Sequence, residues 1–212
     1  MANGKFITLE GGEGAGKSTQ AKNLASFLKN FGVETVLTRE VGGCPSAEEI
    51  RNLWLGAGEG HWDGVTEILL ISAARREHLT KVIWPALERG AWVISDRFLD
   101  STRVYQGVAQ GLGVEVVDHY YKHIAGKTFE PDLTLLLDLP VETGLKRMTA
   151  RGGEDDRFQQ KKLDFHQTLR DAYLKLREQY PDRMKLIDAS QNTDKVKESI
   201  CNAVKEKFAL AQ

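Results

Sequence analysis

A glycine-rich segment near the start of the chain constrains the fold more than any other feature. Residues 6–9, Phe-Ile-Thr-Leu, have the composition of a short β-strand, and Gly11-Gly12-Glu13-Gly14-Ala15-Gly16-Lys17-Ser18 follows almost at once. These eight residues fit the pattern G-x-x-x-x-G-K-[ST] between a strand and a helix, which is typical of a phosphate-binding loop. A glycine-rich turn can also simply join a strand to a helix, but such a turn does not need the Lys-Ser pair. The sequence therefore predicts a nucleoside triphosphate site.

Each part of this phosphate loop, residues 11–18, has a chemical role. Glycines let successive backbone N–H groups turn toward a polyphosphate, and the following helix adds the positive end of its dipole. Lys17 is expected to reach the β- and γ-phosphates of ATP, and Ser18 to bind Mg²⁺. The variable loop positions hold no basic residue, so an arginine that assists phosphoryl transfer has to come from another segment. The predicted ATP-binding residues are Gly11, Gly12, Glu13, Gly14, Ala15, Gly16, Lys17, Ser18 and Thr19.

Composition narrows the class of protein. The chain has 29 Lys and Arg against 30 Asp and Glu, a formal charge of −1, which argues against a basic nucleic-acid-binding surface. Cys44 and Cys201 are far apart and lack metal-ligand spacing, which suits a reducing compartment. No stretch approaches the ~18 apolar residues of a membrane span, and no export signal is recognisable. We expect a cytoplasmic protein that binds neither nucleic acid nor membrane.

Short apolar strands alternate with amphipathic helices along the chain. This alternation predicts parallel strands joined by right-handed crossovers, in one α/β domain over residues 1–212. The expected architecture has three layers, with a central parallel sheet of about five strands flanked by helices. The predicted strands are 6–9, 34–38, 92–95, 133–137 and 185–187, and the predicted helices are 20–30, 47–55, 65–89 with a kink at Pro85, 114–124, 141–150, 165–180 and 193–210.

Charged residues follow the predicted strands, where parallel sheets bind ligands. Asp138 and Asp188 are interpreted as ordinary strand-end charges. Asp96-Arg97 leaves two interpretations open. The carboxylate suits magnesium-bound water and the arginine suits an acceptor phosphate, but the dipeptide is equally compatible with a surface ion pair. Arg75 follows the small residues Ala73-Ala74 and is expected to face an acceptor pocket.

A charged, glycine-hinged loop follows the helix that ends near Arg147. Residues 151–157 read Arg-Gly-Gly-Glu-Asp-Asp-Arg, which favours a short lid over about 147–160 that excludes water and supplies an arginine to the transferred group. The alternative is an exposed loop that its opposite charges keep soluble.

Together these segments resemble bacterial thymidylate kinases over nearly the whole chain. A phosphate loop alone is shared by many enzymes, whereas this order of motifs is far more specific. The matching segments are residues 6–19, Thr38-Arg39-Glu40 with Gly42-Gly43, Ala73-Ala74-Arg75, Asp96-Arg97-Phe98, Ser101-Thr102, Tyr105-Gln106-Gly107, residues 131–135, Leu145-Lys146-Arg147 and the lid at Arg151.

The resemblance implies a P-loop kinase fold, a homodimer, and transfer of the γ-phosphoryl group of ATP to dTMP with Mg²⁺, giving dTDP and ADP in dTTP biosynthesis. Arg75 and Arg97 would hold the acceptor phosphate, Thr102 and Gln106 would meet the thymine edge, and Tyr105 would pack on the deoxyribose. By the same resemblance, the catalytic residues are Lys17, Arg97, Arg151, Asp96 and Glu13, the dTMP-binding residues are Glu40, Ile71, Arg75, Arg97, Ser101, Thr102, Tyr105 and Gln106, and the metal ligands are Ser18 and Asp96.

The missing loop arginine fits a family subtype with its catalytic arginine in the lid. Arg151 is the expected residue, with Arg147 and Arg157 as alternatives.

The chain departs from the family pattern at three positions. Ile71 stands where an aromatic residue usually stacks on thymine. Its side chain lacks the ring-stacking part of the binding free energy, on the order of 0.5–1.5 kcal/mol. Val41 replaces a usual proline, and Cys44 a frequent threonine. Two other functions remain open: a kinase for another nucleoside monophosphate, or a GTP-binding switch. The chain lacks the N-K-x-D guanine motif of the latter.

Overall fold

The computed structural model describes residues 4–58, 60–126, 129–150 and 162–210. Five parallel strands in the order β2-β3-β1-β4-β5 form one sheet in the described part of the chain. The strands are β1 (Phe6–Glu10), β2 (Thr35–Arg39), β3 (Trp92–Asp96), β4 (Leu133–Asp138) and β5 (Met184–Asp188). The predicted parallel sheet of about five strands is therefore confirmed.

Helices cover both faces of this sheet. They are α1 (Lys17–Lys29), α2 (Pro45–Gly56), α3 (Gly64–His78), α4 (Trp84–Glu88), α5 (Leu99–Thr102), α6 (Val114–Ala125), α7 (Val141–Ala150), α8 (Leu163–Gln179) and α9 (Thr193–Phe208), with π-helical segments at Leu79–Ile83 and Arg103–Ala109. Among the described helices, none combines the length and apolar composition that crossing a bilayer requires.

The side chains of β1 alternate between the two faces of the sheet. Ile7 and Leu9 pack into the apolar cluster formed with α1 and α9, and Phe6 packs into the cluster formed with α3 and α6 on the other face. Because strand side chains repeat every second residue, Thr8 and Glu10 face the same side as Phe6. The fold thus has three layers, and the end of β1 delivers one carboxylate beneath the phosphate loop.

The predicted helix over 65–89 is present as one helical run whose hydrogen bonding changes along its length. It consists of α3, the π-helical segment Leu79–Ile83, and α4. Pro85 lies near the start of α4, directly after the π-helical segment, and without an N–H it cannot donate to the preceding turn. The α-helical bonding is therefore interrupted in the turn before the proline.

The sequence prediction also missed α5 and the π-helical segment Arg103–Ala109. These residues include β-branched side chains and Gly107, which favour an α-helix only weakly. π-Helical turns are frequent at functional sites, and this one carries Tyr105 and Gln106. Only residues 147–150 of the predicted lid belong to the described chain, as the end of α7.

Candidate active site

The phosphate loop joins β1 to α1, as predicted. Gly14 has φ +70°, and a Cβ there would lie 2.0 Å from the carbonyl oxygen of Gly144 in α7, so only glycine fits. Lys17 Nζ donates to the carbonyl oxygens of Gly11 at 3.1 Å and Gly12 at 2.7 Å. Burial, together with the nearby charge of Arg97, lowers the pKa of Lys17. The loop therefore holds its ammonium group inside the turn of the backbone, where a polyphosphate would dock.

Oxygen donors suited to a magnesium ion lie beside the loop. The Ser18 hydroxyl donates a hydrogen bond to the Asp96 carboxylate at the end of β3. In the part of the chain that the structure describes, no three His, Cys, Asp or Glu side chains form a metal-binding group. Mg²⁺ often relies on one or two protein oxygens plus substrate phosphates and water. The donor chemistry of Ser18 and Asp96 therefore fits this ion.

A cavity of about 260 Å³ opens beside the phosphate loop, at the carboxyl ends of β1, β2 and β3. Every residue predicted to bind dTMP lines it, together with Glu13, Ser18 and Asp96. Its walls comprise Glu13, Ser18, Arg39, Glu40, Val41, Arg51, Trp54, Ile71, Arg75, Asp96, Arg97, Phe98, Ser101, Thr102, Tyr105 and Gln106. Residues from distant segments thus converge on one volume whose wall holds four arginines. Two of them, Arg75 and Arg97, are the arginines predicted to hold the acceptor phosphate, and guanidinium groups can bind an anion.

The first of these arginines, Arg75, is held by a buried polar network. Its Nε donates to Glu40 Oε2 at 2.6 Å, and one terminal nitrogen donates to Thr102 Oγ1 at 2.9 Å. The guanidinium also lies 5.1 Å from the centre of the Phe98 ring. Glu40 in turn bonds the His78 ring at 2.9 Å. These contacts fix the orientation of Arg75 in the cavity wall.

The second arginine, Arg97, lies next to the phosphate loop in an unusual backbone conformation. Its φ is 69°, a region that residues other than glycine rarely adopt. Its Nη2 donates to Glu13 Oε1 at 2.6 Å, and its Nη1 donates to the Gly11 carbonyl at 3.1 Å. Burial alone would raise the pKa of Glu13, but Arg97 and Lys17 outweigh it and lower that pKa to about 2. Asp96-Arg97 is therefore part of the site, not an isolated surface ion pair.

The cavity wall also carries apolar and amide groups, at the end where Gln106, Ile71 and Trp54 lie. Tyr105 donates its hydroxyl to Glu13 Oε1 at 3.0 Å, and its ring lies 5.2 Å from the Arg97 guanidinium. Gln106 Nε2 donates to Glu67 Oε2 at 3.3 Å. Ile71 and Trp54 belong to the same apolar cluster and both line the cavity. This end can take a flat, partly polar ring.

A second cavity, of about 270 Å³, lies on the opposite side of the loop. The Arg147 guanidinium in its wall donates to the carbonyl oxygens of Ala189 at 2.8 Å and Ser190 at 3.2 Å. Thus Arg147 faces the donor side of the loop rather than the acceptor cavity. The walls comprise Gly14, Ala15, Gly16, Thr19, Gln20, Arg147, Ala189, Gln191, Asn192, Thr193 and Val196.

Several residues that line the site were not predicted from the sequence. Arg51, which donates to the Val41 carbonyl at 2.8 Å, and Trp54 line the acceptor cavity from α2. Their spacing in a helix indicates only that they share a face, so no sequence signal distinguishes them from structural residues. His78 is fully buried and bonds both Glu40 and Thr38.

Both strand-end aspartates, which were interpreted as ordinary strand-end charges, bond neighbouring side chains. Asp138 accepts from Arg170 at 2.7 and 2.9 Å, and Asp188 accepts from Ser190 and Gln191 in the turn after β5. Arg151 and Arg157 lie outside the described residues.

A phosphate loop on a five-stranded parallel sheet, with an arginine-lined acceptor cavity beside it, defines the class of P-loop nucleotide kinases. The comparisons with known proteins identify the family within that class. A family model described as thymidylate kinase matches residues 9–200. The chain belongs to the thymidylate kinase family. Its activity is ATP-dependent phosphorylation of dTMP to dTDP, and a kinase for another monophosphate or a GTP-binding switch is not favoured.

Individual relatives cover the full chain. The thymidylate kinase of Caulobacter vibrioides is 48% identical over 210 residues, 99% of this chain and 100% of the relative. That of Alkalilimnicola ehrlichii is 46% identical over 211 residues, 100% of this chain and 95% of the relative. A crystal structure of thymidylate kinase from Ehrlichia chaffeensis matches with a TM-score of 0.76 and 32% identity, covering 95% of this chain and 99% of that one.

Proposed function

We propose that Arg75 and Arg97 bind the phosphate of dTMP in the acceptor cavity, with the thymine against Ile71 and near Thr102 and Gln106. The single observation that carries this assignment is the convergence of both arginines on a cavity that borders the phosphate loop. The remaining dTMP-binding residues proposed are Glu40, Ser101 and Tyr105. Because both arginines are already held by carboxylates or hydroxyls, they need little reorganisation to receive a phosphate.

On the donor side, we propose that the loop amides and Lys17 bind the triphosphate of ATP. The second cavity, walled by Arg147 and Thr193, would receive the adenine, because a guanidinium plane can stack on an aromatic ring. Mg²⁺ bound through Ser18 and Asp96 would neutralise charge on the transferring phosphates. The protein itself aligns donor and acceptor, and Lys17 stabilises negative charge on the transferred group.

We propose Arg151 as the arginine that completes charge stabilisation on the transferred phosphoryl group. The support is that the phosphate loop contains no arginine and that Arg147 donates to carbonyl groups on the donor side. Arg151→Ala should lower kcat by about 10³-fold or more, the scale of such arginines, with ATP binding nearly unchanged. Arg157→Ala tests the alternative residue, and it should leave kcat near the wild-type value. Near-normal turnover of Arg151→Ala would reject this role.

Substrate choice is tested by ADP release with dTMP, dUMP, AMP, GMP and CMP as acceptors. The cavity assignment predicts the highest kcat/KM for dTMP. A preference for any other monophosphate would overturn the assignment of Thr102 and Gln106 to the thymine edge.

We also propose that the chain is a homodimer that packs through α3. Val65 and Leu69 are 40% and 49% exposed, and with Ala73 they form an apolar stripe along one helix face. A second copy would cover this stripe by antiparallel or crossed helix packing. Sedimentation velocity should show a dimer, and Leu69→Glu should shift it toward monomer. A wild-type monomer at micromolar concentration would contradict the proposal.

The cytoplasm is the proposed location. Its support is chemical: ATP and dTMP are intracellular substrates, and both cysteines in the described chain are free thiols. Cell fractionation of a tagged chain tests this, and recovery outside the cytoplasmic fraction would contradict it.

A further inference from the structure

A buried carboxylate lies directly behind the acceptor cavity and has no role in the reaction described so far. Glu10, the last residue of β1, is fully buried and does not line the cavity. It accepts hydrogen bonds from the Phe98 backbone N–H at 2.8 Å, the Ser101 hydroxyl at 2.6 Å and the Tyr173 hydroxyl at 3.2 Å. A buried carboxylate with three donors is a fixed structural element rather than a solvated charge.

The partners of Glu10 are also the partners of Arg97. Arg97 Nη1 donates to Ser101 Oγ at 3.1 Å and to Tyr173 OH at 3.2 Å. Because each hydroxyl has a single proton, a hydroxyl that donates to Glu10 presents only lone pairs to the guanidinium. The two hydroxyl oxygens also lie 2.8 Å apart, so the Tyr173 proton is shared between Ser101 and Glu10. The Ser101 hydroxyl, which has the shorter 2.6 Å bond to Glu10, is the acceptor that the carboxylate orients toward Arg97.

Glu10 also acts on the backbone next to Arg97. The left-handed φ of 69° at Arg97 is followed by Phe98, whose N–H is bonded to Glu10. A non-glycine residue in this conformation persists when its surroundings hold it there. Loss of the Glu10 acceptor would relax both the backbone turn and the side-chain contacts.

We propose that Glu10 is a positioning residue for Arg97. Through its hydrogen bonds to Ser101, Tyr173 and the Phe98 amide, Glu10 holds the Arg97 guanidinium at the place where the phosphate of dTMP binds. This inference rests on the proposed role of Arg97 in the acceptor site. Glu10 itself does not touch the substrate.

The charge of Glu10 depends on its neighbours on three elements. Asp100 approaches from α5, Tyr173 from α8 and Lys17 from the start of α1, and Arg97 lies in the connection between β3 and α5. Burial and the negative charge of Asp100 raise the pKa of Glu10 to about 7, against the effects of Ser101 and Arg97. Protonation would turn one acceptor oxygen into a donor and disturb the orientation of the hydroxyls.

The first test is Glu10→Gln, which keeps the shape but replaces one acceptor oxygen with an amide group. At pH 8 we expect KM for dTMP to rise about 10-fold or more, the scale of one charge-assisted hydrogen bond, while KM for ATP changes by less than about twofold. The ratio of variant to wild-type KM for dTMP should fall toward 1 between pH 8 and pH 6, because wild-type Glu10 becomes neutral. Ionisation of dTMP affects the KM of the wild type and of the variant equally, so it does not change this ratio. A ratio that stays constant with pH, or equal changes in both KM values, overturns the proposal.

A second variant tests the proposal if Glu10→Gln does not fold. Tyr173→Phe removes one hydroxyl that links Glu10 to Arg97, and Tyr180→Phe is its matched control at the end of α8. We expect Tyr173→Phe, and not Tyr180→Phe, to raise KM for dTMP selectively. An unchanged KM for dTMP in Tyr173→Phe would contradict the proposal that Tyr173 links Glu10 to Arg97.

Arg97→Ala separates this inference from the proposed function. A normal KM for dTMP in Arg97→Ala would reject the role of Arg97 itself. A raised KM in Arg97→Ala with a normal KM in Glu10→Gln would reject only the positioning role of Glu10.

Discussion

The buried pair of Arg75 and Glu40 carries a quantitative prediction for stability. Their atoms Nε and Oε2 lie 2.6 Å apart, and the two side chains are 3% and 2% exposed. Glu40→Ala removes the carboxylate that balances Arg75 and also bonds His78. Removing one partner of a buried ion pair costs about 3–5 kcal/mol, because the remaining charge stays buried without compensation. For a chain of this size, that loss corresponds to a fall of about 6–20 °C in the melting temperature.

Urea unfolding of the ligand-free protein, followed by circular dichroism, measures this loss. The matched control is Glu34→Ala, which breaks the 2.9 Å pair of Glu34 and Arg89, whose side chains are 61% and 48% exposed. Exposed ion pairs contribute at most about 1 kcal/mol to stability, so the free energy of unfolding of Glu34→Ala should stay near the wild-type value. A loss in Glu40→Ala no larger than in Glu34→Ala would refute the argument that burial makes this pair important.

Further predictions concern pH, packing and the base. Folding lowers the pKa of Glu13 from 4.5 to about 2, so its contribution to the free energy of unfolding is present above pH 4.5 and lost as the pH falls to 2. In urea unfolding, the deficit of Glu13→Gln should therefore shrink over that range, and a constant deficit would contradict this. In Gly144→Ala, the new Cβ would meet the Glu13 carbonyl oxygen at 2.4 Å, so we expect a loss of about 1–3 kcal/mol and a raised KM for ATP, checked by unfolding and kinetics. Ile71→Phe should lower the Kd for dTMP about 2- to 10-fold in calorimetric titration, and weaker binding would show that the ring does not fit.

The order of the motifs was enough to predict most of the acceptor cavity. Residues that follow parallel strands meet at one edge of a sheet, so Glu40 and Arg97 could be brought beside the phosphate loop without coordinates. Arg75 was expected to face the acceptor pocket because it follows two small residues, whereas the roles of Thr102, Tyr105 and Gln106 were implied only by the resemblance to a family. The strand positions were predictable because continuous apolar runs such as residues 133–137 are typical of buried parallel strands.

The contacts behind the cavity could not be predicted in the same way. Glu10 and Tyr173 are 163 residues apart in the chain, and no local pattern links them. The bond between Glu40 and His78 similarly depends on how α3 packs beside β2. The π-helical turn under Tyr105 has no simple periodicity that a sequence would reveal. Such features arise from tertiary packing, which overrides local preference.

A crystal structure of the complex with dTMP tests the central claim most directly, namely that the arginine-lined cavity is the acceptor site. The account predicts the dTMP phosphate within hydrogen-bonding distance of the Arg75 and Arg97 guanidinium groups, at about 2.7–3.2 Å, with the thymine over Ile71. A dTMP phosphate bound outside the reach of both arginines would contradict it.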